Sequence, residues 1–281
     1  MDKKIRWFLS AVLLVIFTLS TAYLARYLIH RQQHQASQDL ALEIAFSTTL
    51  PTEPEIPMSH QPASEATEPT APPAQPVWVP APFQGDPAHM SLLETIDLEA
   101  LRRVNPDVIG WIYIPGTGIH SPLLQGQDNS YYLEHTWDDR ANGLGSIFLE
   151  CQNAPDLSDF NTIIYGHNIA GGKMFAPLHN YSSEDYRRGH PYVYILTDDG
   201  IFRYEIFASF LADLDSPIYG LSFHQSATRE RFLAFALENS QISTGILPNL
   251  TDRFLTLSTC TGGGYEQRRV VIARMEMIPV Q

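Results

Sequence analysis

A proline-rich segment divides this chain and limits where a folded domain can form. Residues 51–87 contain eleven prolines and five acidic residues but neither lysine nor arginine. Such a segment lacks the apolar side chains that a core requires, and its prolines favour an extended backbone. In polyproline II conformation its ~37 residues would extend over on the order of 115 Å. We therefore expect a disordered linker, with the folded part of the 281-residue chain beginning near residue 91.

An uncharged apolar run, from Trp7 to Ala25, precedes the linker. As a helix its ~19 residues span ~28 Å, close to the hydrocarbon thickness of a bilayer. A cleaved signal peptide is the alternative, but the residues after Ser20 offer no clean small-x-small cleavage site. We expect a single-pass signal anchor, with residues 1–31 forming the cytoplasmic tip and the span. Residues 32–90 would then form a juxtamembrane segment and a stalk that lets the domain work away from the membrane.

Short apolar and β-branched runs dominate the remainder of the chain. Asp198-Asp199-Gly200 lies between two such runs and predicts a hairpin turn. The absence of strand–helix alternation favours a closed antiparallel β-barrel with peripheral helices. The predicted strands cover 108–114, 119–124, 145–151, 162–165, 192–196, 201–210, 254–260 and 269–277. The predicted helices cover 91–104, 129–135, 174–181 and 228–238.

Charge and cysteine content restrict the function classes. Residues 91–281 carry 13 Lys and Arg against 23 Asp and Glu, whereas a nucleic-acid partner calls for a basic face. The two cysteines, Cys151 and Cys260, are too few for a disulfide framework. We expect both thiols to be free.

Three reactive side chains are predicted at strand ends. Cys260 ends an apolar strand and precedes a glycine-rich loop, and His167 follows the strand 162–165. A thiol, an imidazole and a guanidinium are the groups that acyl transfer through a thioester requires. A buried cysteine acting as a small apolar side chain is the alternative for Cys260. No second ligand lies at metal-binding spacing around His167, so a metal site is not expected.

The guanidinium must come from Arg268 or Arg269, which open the strand after the cysteine. Side chains alternate between the two faces of a strand, so only one of this pair can point towards Cys260. We predict that Arg269 does so and that Arg268 is an exposed charge at the sheet edge.

The order of these residues and their flanking sequences resemble the sortases, and within them class B. The resemblance covers residues 91–281. Its motifs are Thr256-Leu257-Ser258-Thr259-Cys260, Asn105-Pro106-Asp107-Val108-Ile109-Gly110-Trp111-Ile112, Asp128-Asn129-Ser130-Tyr131-Tyr132-Leu133, Gly145-Ser146-Ile147-Phe148-Leu149, Asn161-Thr162-Ile163-Ile164-Tyr165-Gly166-His167-Asn168 and Met174-Phe175.

The resemblance implies an eight-stranded sortase barrel, with 91–281 as the catalytic domain. Cys260 would be the nucleophile, His167 the general acid and then the base, and Arg269 the group that stabilises the oxyanion. The implied substrate contacts are Asn129, Tyr165 and Ser258. The role of Cys151 is open, since relatives more often carry an acidic or polar residue there, and we read it as structural.

The implied activity is transpeptidation at the surface of a Gram-positive-type cell, without a cofactor. The partners would be surface proteins or pilins with a C-terminal sorting signal, an amine on a peptidoglycan precursor or a pilin lysine, and the bilayer around residues 7–25. A papain-like protease is excluded because its cysteine precedes its histidine. The alternative is a catalytically inactive, membrane-tethered module that binds sorting-signal or wall peptides.

Overall fold

Eight strands close into a barrel in the computed structural model, which describes residues 3–47, 87–169, 173–261 and 264–276. In chain order the strands are β1 (Val108–Ile114), β2 (Ile119–Leu124), β3 (Phe148–Leu149), β4 (Asn161–Tyr165), β5 (Asn168–Ile169), β6 (Lys173–Met174), β7 (Tyr192–Thr197), β8 (Gly200–Asp213), β9 (Phe254–Thr261) and β10 (Gly264–Met275). The barrel follows the order β1-β2-β3-β4-β9-β10-β8-β7, and β5 pairs with β6 in a separate sheet. The predicted closed barrel is therefore confirmed.

Two of the barrel pairings are parallel, so the expectation of an antiparallel barrel is wrong at these points. β2 pairs with β3 and β4 pairs with β9 in the same direction, whereas the other pairings are antiparallel. A parallel pair needs a long crossover connection rather than a tight turn. The chain between β4 and β9 contains the strands β5 to β8 and two helices, which supplies that connection.

Strand alternation decides which side chains fill the barrel. Leu255 and Leu257 of β9 point into the core with Val271 of β10, which matches the predicted alternation. The opposite faces of these strands pack against Phe232 of a surface helix. The helices are α1 (Lys3–Ala45), α2 (Pro87–Glu94), α3 (Leu98–Arg102), α4 (Glu184–Gly189) and α5 (Ser226–Asn239), with 3-10 turns at Tyr131–Leu133, Ala176–Ser182 and Pro217–Tyr219.

The predicted helix over 91–104 is broken into α2 and α3. The side chain of Asp97 accepts a hydrogen bond from the backbone N–H of Ala100 at 2.8 Å. An aspartate in this position caps a helix N-terminus, so α3 begins anew after Asp97.

Helix α1 is continuous from the apolar run into a segment that packs on the barrel. Its first half is long and apolar enough to cross a membrane, and its large apolar side chains are exposed. Its second half buries His34, Ser37, Ala41 and Ala45, which lie on one face because they are three or four residues apart. The backbone N–H of Asp97 donates to the Ala45 carbonyl at 2.9 Å, which joins the helix end to the domain.

Helix α1 packs on the barrel before the proline-rich segment begins, so the domain contacts the helix directly. The stalk expected over the proline-rich segment stays a prediction. Residues 48–86, which include most of the linker, lie outside the described residues.

His120 lies where the end of α1 meets the barrel. Its ring is 5.7 Å from that of Phe46, 5.1 Å from Trp111 and 4.8 Å from Tyr113, measured between ring centroids. Burial in this aromatic surrounding lowers the pKa of His120 from 6.5 to about 4. The folded protein therefore holds the imidazole neutral in mildly acidic solution.

We predict that His120 makes the protein less stable in acid. Between pH 6.5 and about 4 the unfolded state binds the proton and the folded state does not, so the free energy of unfolding falls as the pH falls. Thermal unfolding at pH 7.5 and pH 4.5 should show a smaller loss of melting temperature for His120→Phe than for the wild type. Equal losses in the two proteins would contradict the prediction.

Candidate active site

The parallel pairing of β4 with β9 brings the two ends of the predicted catalytic pair together. Tyr165 lies opposite Ser258 in this ladder, and the backbone N–H of Gly166 donates to the Ser258 carbonyl at 3.2 Å. Parallel strands advance together by about 3.3 Å per residue. His167 and Cys260 each follow two residues later and so reach the same end of the barrel. Cys260 is described by its backbone, and its thiol lies outside the described atoms.

The imidazole of His167 is held at one nitrogen. Its Nε2 is 2.9 Å from the carbonyl oxygen of Leu133, and its own carbonyl accepts from the backbone N–H of Phe175 at 3.0 Å. A carbonyl oxygen can only accept, so Nε2 carries a hydrogen in this arrangement. The ring is half-buried, at the mouth of a cleft.

A cleft of about 360 Å³ contains all of the predicted substrate contacts together with His167. Its floor follows the ends of β4 and β9, and apolar side chains form much of its walls. The lining residues are Asn129, Leu133, Phe148, Tyr165, Gly166, His167, Leu214, Tyr219, Ser258, Thr259 and Arg268. A mostly apolar cleft with a few convergent polar groups is the form that ligand sites take.

A buried carboxylate fixes two of the predicted contacts. Glu150 is 3% exposed, and its Oε2 accepts from Asn129 Nδ2 at 2.6 Å and from the Tyr165 hydroxyl at 2.9 Å. Burial, and then the negative charge of Glu150, raise the pKa of Tyr165. Sequence reasoning missed Glu150, although a single acid at the end of an apolar strand was a visible signal.

The opposite wall of the cleft is formed by a residue that the sequence analysis did not identify. The hydroxyl of Tyr219 lies 2.8 Å from that of Ser258, and Tyr219 ends a 3-10 turn. The segment carries no regular pattern, so only the aromatic residue after Pro217 could have drawn attention to it.

The register of β9 with β10 gives the two arginines different partners on β9. The register places Arg268 opposite Cys260 and Arg269 opposite Thr259, after an irregularity between Gly264 and Arg268. Arg268 lines the cleft. Residues directly opposite on antiparallel strands share a face. The register therefore favours Arg268 on the Cys260 face, and the expectation for Arg269 stays a prediction.

Arg269 is held inside the protein. It is 7% exposed, and one of its terminal nitrogens donates to Gln241 Oε1 at 2.6 Å. Burial lowers its pKa. The bond to Gln241 joins β10 to the segment after α5.

Cys151 is a free, half-buried thiol beside the carboxylate cluster. Its Sγ lies 3.4 Å from Glu150 Oε1, and burial together with this negative charge raises its pKa. A thiol with a raised pKa is a poor nucleophile, in agreement with a structural role. Within the described ranges, no cluster of three or more His, Cys, Asp or Glu residues is placed to hold a metal ion.

Comparison with known proteins identifies the same barrel. A family model of the sortase domain matches residues 112–276. The chain is 37% identical over 180 residues to sortase B of Listeria monocytogenes, which covers 63% of this chain and 72% of that protein.

Solved structures agree with this match. A Staphylococcus aureus sortase B–substrate complex superposes with a TM-score of 0.62 at 26% identity, covering 68% of this chain and 91% of that one. A sortase B structure in complex with triglycine gives a TM-score of 0.61 at 26% identity, covering 67% and 88% of the two chains. The matched region includes the strands that carry His167 and Cys260, so this chain belongs to the sortase family and, within it, to the class B cysteine transpeptidases.

Proposed function

We propose that this sortase cleaves a C-terminal sorting signal after threonine through a thioester at Cys260 and passes the acyl group to an amine. The observation that carries this proposal is the register of β4 with β9, which brings His167 and Cys260 to one end of the barrel. The cleft at that end offers a binding surface for an extended peptide.

The first half of the reaction breaks the peptide bond. The sulfur of Cys260 attacks the threonine carbonyl carbon, and the carbonyl oxygen takes up negative charge. His167 then donates a proton to the departing amine, and the C–N bond breaks to leave a thioester. With Nε2 held by Leu133, the proton passes through Nδ1.

The second half returns the enzyme to its starting state. An amine attacks the thioester carbonyl while His167 accepts its proton, and the C–S bond breaks to release the Cys260 thiolate. The acceptor is an amino group of a peptidoglycan precursor or of a pilin lysine. The triglycine complex of the related sortase B supports an amine acceptor of this kind.

We assign the oxyanion-stabilising guanidinium to Arg268 rather than Arg269. Arg268 lies opposite Cys260 on the neighbouring strand and lines the cleft, whereas the Arg269 side chain donates to the exposed residue Gln241. A cation that is already held in position where the oxyanion develops stabilises the transition state of the acyl-transfer step.

Asn129, Tyr165 and Ser258 would hold the peptide in the cleft. Because Tyr165 donates its hydrogen to Glu150, its oxygen is left to accept from a substrate N–H. Asn129 retains a second amide hydrogen for a substrate carbonyl. This donor and acceptor pair suits the backbone or side-chain amides of a sorting-signal peptide, and the substrate complex of the S. aureus relative supports peptide binding.

The membrane arrangement follows from α1. We propose that residues 1–31 hold the cytoplasmic tip and the span, and that the catalytic domain from residue 91 onwards faces the outside. The apolar first half of α1 meets the length requirement for a single crossing.

The thioester assignment predicts that Cys260→Ala abolishes both cleavage and transfer, because alanine offers no nucleophile. His167→Ala should reduce kcat by about 10²- to 10⁴-fold, the usual contribution of a general acid–base. Peptide cleavage with an added amine, analysed by mass spectrometry, measures both. Cys151→Ala is the matched control and should stay within about twofold of wild type. Transfer by Cys260→Ala, or its loss in Cys151→Ala alone, would contradict the assignment.

The two arginines can be separated by matched lysine substitutions, which keep the charge but remove the planar fork. We expect Arg268→Lys to lower kcat by about 10²-fold, since the oxyanion loses its placed donors. Arg269→Lys should leave kcat near wild type and lower the melting temperature, because Arg269 is 7% exposed and its packing and its bond to Gln241 would be disturbed. The reverse pattern would return the catalytic role to Arg269.

Glu150→Gln should weaken peptide binding. The amide oxygen of glutamine can take the place of Oε2, but it is an uncharged and therefore weaker acceptor for Asn129 and Tyr165. The new NH₂ group takes the place of Oε1, where it faces the Cys151 thiol and the Gln152 N–H, which are both donors. We expect KM for a sorting peptide to rise by about tenfold, equivalent to the ~1.4 kcal/mol of one net hydrogen bond. Glu134→Gln removes the same charge at an exposed position and serves as the control. An unchanged KM in Glu150→Gln would contradict this role.

A further inference from the structure

The docked half of α1 makes four of its polar contacts with one loop of the domain. This 132–146 loop runs from the 3-10 turn at Tyr131–Leu133 to the residues before β3. Its ends are tied together, since the backbone N–H of Ser146 donates to the Tyr132 carbonyl at 2.8 Å. The loop lies between α1 and the cleft. A shift of α1 would therefore move the loop, and with it the cleft residues that the loop contacts.

Four hydrogen bonds clamp this loop to α1. His34 Nε2 donates to the Gly145 carbonyl at 3.2 Å, and Trp137 Nε1 donates to the Ser37 carbonyl at 2.6 Å. The remaining bonds run from Ser37 Oγ to Asp138 Oδ1 at 2.6 Å and from Asn142 Nδ2 to the His30 carbonyl at 2.9 Å. His34 is 2% exposed, so its bond to Gly145 is shielded from water.

The same loop supports the imidazole of His167 from its other side. Leu133 supplies the carbonyl that accepts from His167 Nε2 at 2.9 Å. Gly145 packs directly against the ring, since a Cβ on this residue would lie 2.9 Å from His167 Cδ2 and 2.7 Å from the Leu133 oxygen. Its φ of +62° is a conformation that favours glycine. Gly145 therefore contacts α1 through its carbonyl and His167 through its Cα.

We propose that His34 is a positioning residue for the reaction, acting through Gly145 on the imidazole of His167. The proposal rests on the acid–base role proposed above for His167. In this proposal helix α1, whose first half is the apolar segment, also helps to hold the active-site histidine in position. A displacement of Gly145 towards or away from His167 changes the distance over which the proton must move, and rates depend steeply on such distances.

Because α1 is continuous, it also fixes the distance between the apolar run and the contact of His34 with Gly145. Nine residues separate Ala25, the end of the apolar run, from His34. In a helix this is a rise of about 14 Å. With Ala25 at the edge of the hydrocarbon layer, His34 and the neighbouring cleft lie just above the headgroups, which are about 5–7 Å thick on each side. The anchor thus sets both the height of the site and the position of its histidine.

The test compares full-length variants in detergent micelles, with steady-state cleavage of a sorting peptide and thermal unfolding measured for each. His34→Leu fills the buried space but removes the donor, whereas His34→Gln retains an N–H. Gln38→Leu is the control on the same helix, because Gln38 accepts from Ser121 Oγ at 3.1 Å on β2 and does not touch the loop. We expect His34→Leu to lose about tenfold in kcat with KM within twofold, whereas His34→Gln and Gln38→Leu keep kcat within about twofold.

A wild-type kcat in His34→Leu would overturn the proposal, as would an equal loss of kcat in Gln38→Leu, which would indicate a general effect of helix docking. A change confined to KM or to melting temperature would also overturn it. His167→Ala in the same series separates the acid–base role of His167 from the positioning role of His34. If that variant remains active, the acid–base role itself fails; if it is inactive while His34→Leu is normal, only the positioning role fails.

Discussion

The pairing of β4 with β9 is the constraint on which the active site depends. Two parallel strands with Tyr165 opposite Ser258 end at the same rim of the barrel, so whatever follows them is brought together. His167 follows β4, and Cys260 is the residue before the end of β9. Neither residue needs a long flexible loop to reach its partner, and the backbone bond from Gly166 to Ser258 fixes the approach. The barrel thus sets the spacing of the backbone at positions 167 and 260.

Around this rim, polar contacts orient the side chains of Asn129, Tyr165 and His167. Glu150 takes hydrogen bonds from Asn129 and Tyr165, and the Leu133 carbonyl takes one from His167. An unsatisfied buried group is costly, so each of these bonds holds its side chain in one orientation. Helix α1 extends the same support outwards through His34 and Gly145. The membrane-proximal helix and the cleft are in this way parts of one packed structure.

The sequence was sufficient for the barrel and for most of its strands, because alternating apolar residues report directly on which face is buried. The strand predicted over 145–151 is shorter and covers Phe148–Leu149 alone. The sequence was insufficient where the direction of strand pairing or the register between strands decides which side chains meet. The parallel direction of β4 and β9 leaves no local signal. The face of Arg268 and Arg269 depends on an irregularity in the pairing between Gly264 and Arg268, and a shift of one residue exchanges the two faces. The docking of α1 was hidden because its buried face consists of small and polar residues such as Ser37 and Ala41 rather than large apolar ones.

The central claim is that a sulfur, an imidazole and a guanidinium meet at the rim where β4 and β9 end. The most direct measurement is a crystal structure of the protein after reaction with a thiol-reactive mimic of a sorting peptide. The account predicts a covalent bond to Cys260, with the His167 ring beside the sulfur and the Arg268 guanidinium on the oxygen of the trapped carbonyl. An adduct on Cys151, or a Cys260 adduct with the His167 ring turned away from it, would contradict the account.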